Sequence, residues 1–208
     1  ILQTITNSTN LNPQFIGLVA GTYSVLVTDA NGGTKTVTGL VVSQPNDIVI
    51  TPTITEITCY GANNASITLN VTGGTGTLMY SLDEGPLQSS NVFIGVSAGE
   101  HTVTVIDTES CTYLTQVVTI IDYPYYFTPN GDGIHDTWNI VGLADKPGTR
   151  IYIFDRYGKL LKQISSTGAG WDGTYNGYLM PSDDYWFTVD FAEGGVMKQF
   201  KAHFAMKR

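Results

Sequence analysis

Apolar and polar residues alternate with a period of two through much of the chain. Ile67, Leu69 and Val71 are separated by Thr68 and Asn70, Leu78, Tyr80 and Leu82 by Met79 and Ser81, and Val103 and Val105 by Thr104. That period places successive side chains on opposite faces of an extended strand, one face toward a core and the other toward water. It returns near the end of the sequence, where Tyr185, Phe187, Val189 and Phe191 alternate with Trp186, Thr188 and Asp190. Phe200, Ala202, Phe204 and Met206 likewise alternate with Lys201, His203, Ala205 and Lys207. Ile151 to Phe154, the turn Asp155-Arg156-Tyr157-Gly158 and Lys159-Leu160-Leu161 read as a hairpin. Gly73-Gly74-Thr75-Gly76 and Gly170-Trp171-Asp172-Gly173 read as turns. The expected fold class is all-β, as tandem small immunoglobulin-like β-sandwiches.

One block occurs twice. Ala20-Gly21-Thr22-Tyr23-Ser24-Val25-Leu26-Val27-Thr28-Asp29 aligns with Ala98-Gly99-Glu100-His101-Thr102-Val103-Thr104-Val105-Ile106-Asp107, at an offset of 78. Each copy continues into a polar turn, a Thr/Val-rich strand and a proline, Pro45 or Pro124. A period this long suits an array of small β-domains rather than a solenoid. The first copy lacks opening strands, from which further copies are expected upstream. Charge marks the other boundary. Residues 1–122 hold one basic residue, Lys35, against nine acidic ones, whereas residues 123–208 hold nine of each and all three tryptophans. The expected organisation is a partial repeat over 1–47, a complete repeat over 48–122 and a different module over 123–208.

The net charge of −8 over 208 residues disfavours general nucleic-acid binding, and no apolar run reaches the roughly 18–20 residues of a membrane-spanning helix. Cys59 and Cys111 fall within one copy. They suggest an intradomain disulfide and an oxidising compartment; the alternative is two free core thiols. No GxSxG, HExxH or P-loop is present, and His101, His135 and His203 stand far apart, so no catalytic residue is assigned.

Four ordered stretches of the last module carry a resemblance. Phe127-Thr128-Pro129-Asn130-Gly131-Asp132-Gly133-Ile134-His135-Asp136-Thr137-Trp138, Ile151 to Gly158, Gly170-Trp171-Asp172-Gly173 and the ending Met206-Lys207-Arg208 resemble the type B C-terminal sorting domain of the type IX secretion system, with His135 where that family usually has Asn. Thr58-Cys59-Tyr60-Gly61, Gly73-Gly74-Thr75-Gly76, Ala98-Gly99 and Asp107 leading to Cys111 resemble the SprB repeats of gliding-motility adhesins. The resemblance implies a non-enzymatic cell-surface adhesin segment attached to the outer membrane on its extracellular side. The last domain would be the secretion signal. Its partners would be translocon components and an SprF/PorP-type outer-membrane β-barrel, and the repeats would form a stalk. The basic, alternating final strand is the expected contact, through Lys198, Phe200, Lys201, Phe204, Met206, Lys207 and Arg208.

Two further chemistries are weighed. Asn130, Asp132 and Asp136 offer hard oxygens at two- and four-residue spacing beside glycines, half of a calcium loop; the alternative is an Asx-turn cluster that satisfies backbone donors. No cofactor is otherwise required. Trp138, Trp171 and Tyr175 could form a sugar-stacking platform, the mark of a carbohydrate-binding module appended to a secreted enzyme; the alternative places them in a sandwich core.

Overall fold

The computed structural model describes residues 3–5, 13–109 and 112–208. They form two compact units, 1–46 and 47–208, and no helix occurs among the described residues. The first unit contains one antiparallel hairpin, β1 (Gly21–Thr28) and β2 (Thr34–Val42). Its turn is closed by Asp29, whose Oδ1 accepts the amides of Asn31 and Gly33 at 2.8 Å each. This is the Asx geometry that a short polar side chain supplies at a turn.

The second unit begins with a six-strand sandwich. One sheet has the order β3 (Val49–Thr55), β4 (Ala65–Thr72), β6 (Val92–Val96). The facing sheet has the order β5 (Leu78–Leu82), β7 (Gly99–Asp107), β8 (Thr112–Ile120). The alternating aliphatics meet between them: Ile67, Leu69, Val103, Val105, Val118 and Ile120 are buried in one cluster. Asp107 is buried at the far end of β7, where its carboxylate accepts the amides of Thr75 at 2.7 Å, Gly76 at 3.0 Å and Glu109 at 3.0 Å. The Asp of the repeated block is thus a turn-capping residue in both copies.

The remaining strands build a five-stranded sheet in the order β11 (Leu160–Ile164), β10 (Arg150–Phe154), β14 (Asp183–Glu193), β15 (Val196–Met206), β9 (Tyr126–Phe127). All pairs are antiparallel except β15 with β9. A small ribbon, β12 (Thr174–Tyr175) with β13 (Tyr178–Leu179), lies apart from that sheet. The layer over its apolar face is mostly loop, pinned by a two-bond bridge in which the Trp138 and Trp171 backbones each donate to the other at 2.9 Å. Gly170 makes this bridge feasible, because a Cβ there would lie 2.5 Å from the Trp138 carbonyl oxygen.

The sandwich and this sheet share one unit through specific polar bonds. The buried Glu193 carboxylate accepts the Thr119 amide at 2.5 Å and pairs with Lys198. Lys146, also buried, pairs with Glu100. Tyr125 donates its hydroxyl to the Ile57 carbonyl at 2.8 Å, and Asp122 and Val141 exchange backbone bonds at 3.2 and 2.7 Å. Burial first, then the neighbouring Tyr125, Glu56 and Asp122, push the Tyr123 hydroxyl up to about 12. Gly142 lets the backbones meet: its φ is +93°, and a Cβ there would lie 2.5 Å from the Ile120 oxygen. Gly142→Ala is therefore expected to destabilise residues 47–208 by about 2–3 kcal/mol, strain and collision together. Gly158→Ala carries a positive φ but meets no neighbour, and is expected to cost only about 1–2 kcal/mol. Denaturant unfolding of the two variants checks the difference.

Candidate functional site

The final strand is the candidate contact, and its two faces have different fates. Phe204 and Met206 are 0% and 1% exposed. Phe204 stacks on Trp138 with ring centroids 4.0 Å apart and planes 15° apart, and lies 5.8 Å from Phe127. Phe200 is half-buried against Phe187 and Tyr123, at 5.9 and 6.0 Å. Of the expected contact residues, Phe204 and Met206 are core members of their own domain and Phe200 packs against that core. The basic ones are dispersed. Lys198 is engaged with Glu193, and the Lys207 ammonium lies 5.2 Å from the Tyr126 ring centroid. Arg208 donates through Nη2 to the Gly173 carbonyl at 3.1 Å and through its amide to Ser182 Oγ at 3.0 Å. Lys201 stands on the outward face of the sheet.

That outward face gathers side chains the sequence reading did not combine. Trp186 pairs in register with His203 on β15 and with Phe154 on β10, and Thr188 pairs with Lys201 and with Tyr152. Trp186 is 42% exposed, whereas Trp138 and Trp171 are both fully buried. Trp138 Nε1 donates to the Pro124 carbonyl and Trp171 Nε1 to the Thr174 carbonyl, each at 2.8 Å. The sugar-stacking expectation for Trp138, Trp171 and Tyr175 thus loses both its tryptophans to the core, the alternative already weighed for them. The signal for Trp186 was its phase: it falls between Tyr185 and Phe187, on the polar side of the strand.

Asn130, Asp132 and Asp136 do come together, in a loop whose oxygens already have donors. The Asp136 carboxylate accepts the amides of Asn130, Gly131 and Gly133 at 3.0, 2.6 and 2.7 Å. Asp132 accepts the Ile134 amide at 2.8 Å and the Asn130 side-chain amide at 2.9 Å. Among the described residues no cluster of three or more His, Cys, Asp or Glu has metal-binding geometry. These bonds are the Asx-turn geometry of the alternative reading, in which the carboxylates satisfy the loop's own amide donors. The Gly131 and Gly133 amides hold the Asp136 carboxyl below the usual carboxylate range.

Cys59 is a free, exposed thiol, so the bridge expected of it is not seen; Cys111 lies outside the described residues. Cys59 sits in a turn tied to Asp122 by the Gly61 amide at 2.7 Å.

Residues 121–205 match the CHU_C type IX secretion signal domain, and residues 51–87 match the SprB repeat. The chain thus joins a SprB repeat to a type IX secretion signal domain. No curated protein matches the chain. Among solved structures, dimeric latent PorU from Porphyromonas gingivalis is 14% identical over 83% of this chain, with a TM-score of 0.29. Sidekick-1 immunoglobulin domains 1–4 are 13% identical over 91%, with a TM-score of 0.28. The chain spans 22% and 59% of those two chains. Neither family is an enzyme family, and the signal domain marks a protein exported by the type IX system to the cell surface. Among the described residues no helix is long and apolar enough to cross a membrane, which says nothing of a β-barrel.

The lowered Asp136 carboxyl sets the sign of a pH effect in the signal domain's loop. Its contribution is complete above the ordinary carboxylate range and is lost as pH falls through the lowered value. The Gly131 and Gly133 amide resonances are expected to titrate with a midpoint below that of a free aspartate. Asp136→Ala is expected to abolish the step and to speed amide exchange at both glycines.

Proposed function

We propose that the chain is the C-terminal segment of a large adhesin of gliding bacteria. In this reading the repeats are an extracellular stalk. The signal domain directs export through the type IX translocon, then holds the adhesin at an SprF/PorP-type outer-membrane β-barrel. The observation that carries the proposal is the match of residues 121–205 to the type IX secretion signal domain, downstream of the SprB-repeat match at residues 51–87. The packing supports a refinement of where the partner binds. Since Phe204 and Met206 are committed to the domain's own core and Phe200 packs against it, the barrel grips the outward sheet face around Trp186, Lys201 and His203. An exposed Trp flanked by basic groups suits a partner surface with an apolar pocket and acidic rim. The carbohydrate-binding alternative is disfavoured by the burial of Trp138 and Trp171.

A reporter fused ahead of residues 47–208 tests this in a type IX-competent host. Surface display is expected, and replacing Phe204 with Asp is expected to abolish it by unfolding the domain. Trp186→Ala with Lys201→Glu keeps the core. This pair is expected to leave export intact while weakening retention by at least about 2 kcal/mol, the scale of a lost interface hot spot. Equal display and retention without the signal domain would contradict the proposal; unchanged retention in the double variant would contradict the assigned face.

A further inference from the structure

The closing end of β8 is buried on both of its faces. Val118 and Ile120 belong to the core of the repeat, and the period of two sends Thr119 to the opposite face, where Glu193 of the signal domain meets it. Thr119 is 5% exposed. Its amide donates to Glu193, but its hydroxyl has no hydrogen-bond partner among the described residues. A hydroxyl buried in this way costs more than an apolar group of the same shape. The repeat fold does not ask for it. In the first copy Val41 stands opposite Thr22, as Thr119 stands opposite Glu100, so a valine occupies the equivalent strand position. The hydroxyl is thus a feature of the seam with the signal domain, where it lines a notch.

The notch has a volume of about 160 Å³. That is the scale of a cavity that holds a benzene ring. Its apolar lining is Ile54, Ile120, Ile121, Phe191 and Phe200, and Thr119 and Glu193 share its polar lining. We propose that the notch binds a hydroxyl-bearing aromatic ring, a phenol in chemical class. The ring packs on the apolar lining, with the faces or edges of Phe191 and Phe200 available to it. Its hydroxyl accepts from Thr119 Oγ1 and donates to the neighbouring Glu193 carboxylate, whose oxygens keep spare lone pairs. Charge selects a neutral ligand: a cation would meet Lys198, and an anion would meet Glu193 and Glu56. Water alone would satisfy Thr119 but leave the apolar lining wet. Phe191 and Phe200 lie on the inner side of the sheet, so the site is separate from the outward face around Trp186 and does not rest on the assignment of that face.

The probe is p-cresol, the tyrosine side chain alone, titrated into the full chain and followed by NMR. Saturable shifts are expected at the Thr119, Ile120 and Gln199 amides. Toluene, which lacks the hydroxyl, is expected to bind at least about tenfold more weakly. Thr119→Val is expected to erase that preference while unfolding at no lower denaturant concentration than the unaltered chain. Ile54→Trp, at an exposed position of the lining, fills the notch and is expected to block both probes. N-acetyltyrosinamide separates two sources of the same chemistry. Binding as tight as that of p-cresol assigns the site to a tyrosine carried on a polypeptide, and its exclusion assigns the site to a free phenol. The absence of saturable shifts, or equal affinity for p-cresol and toluene in the unaltered chain, would overturn the proposal. So would a clear loss of stability in Thr119→Val, which would show that an ordered water already satisfies the hydroxyl.

Discussion

The signal domain depends on one hairpin, β14 and β15, and on the apolar row that it presents to two tryptophans. Eleven residue pairs hold the hairpin in register. Along its inner face Tyr185, Phe187, Phe204 and Met206 close on Trp138 and Trp171, and the tryptophan backbones are bridged to each other. Aromatic burial of this area contributes several kcal/mol per ring, more than any surface ion pair in the domain. The opposite layer is mostly loop, so these rings do the work that a second sheet does in the repeat. β15 is therefore the strand that completes the core.

This constrains how an export machinery can recognise the domain. A partner that read the terminal strand as an extended peptide would have to extract Phe204 and Met206 from a packed interior. A partner that reads the folded domain finds Trp186, Lys201 and His203 already aligned across two neighbouring strands. The adjoining SprB repeat adds to the same rigidity: Glu193, placed where β14 turns into β15, accepts the amide of Thr119 from the repeat. The signal domain and the adjoining repeat are thus fastened at the hairpin's own turn.

Much of this was legible in the sequence, and what was not has identifiable physics. Period-two alternation located β4, β7, β14 and β15, because each has one face in a core and one in water. The offset of 78 exposed the repeat, and the aspartate of each copy proved to be a turn cap. Alternation could not tell whether the apolar face of the final strand met its own domain or a partner, since both environments select the same residues. It assigned Trp186 to the polar phase, whereas it placed neither tryptophan of the turn motifs, because loops carry no phase. Of the cysteines, Cys59 is an exposed free thiol in a turn tied to Asp122, and Cys111 lies outside the described residues. Likewise the oxygens of Asn130, Asp132 and Asp136 suit a cation or a turn by type, and what the structure adds is the set of loop amides that they accept.

Native-state hydrogen exchange across residues 196–208 of the intact chain tests the central claim most directly. If the final strand closes the core, the Ala202, Phe204 and Met206 amides, which face β14, will exchange only through global unfolding and rank with Phe187 and Val189 among the slowest in the domain. Exchange of these amides at rates near those of an unstructured peptide, with Phe187 and Val189 still protected, would show that the strand is a detachable tail and would contradict the account.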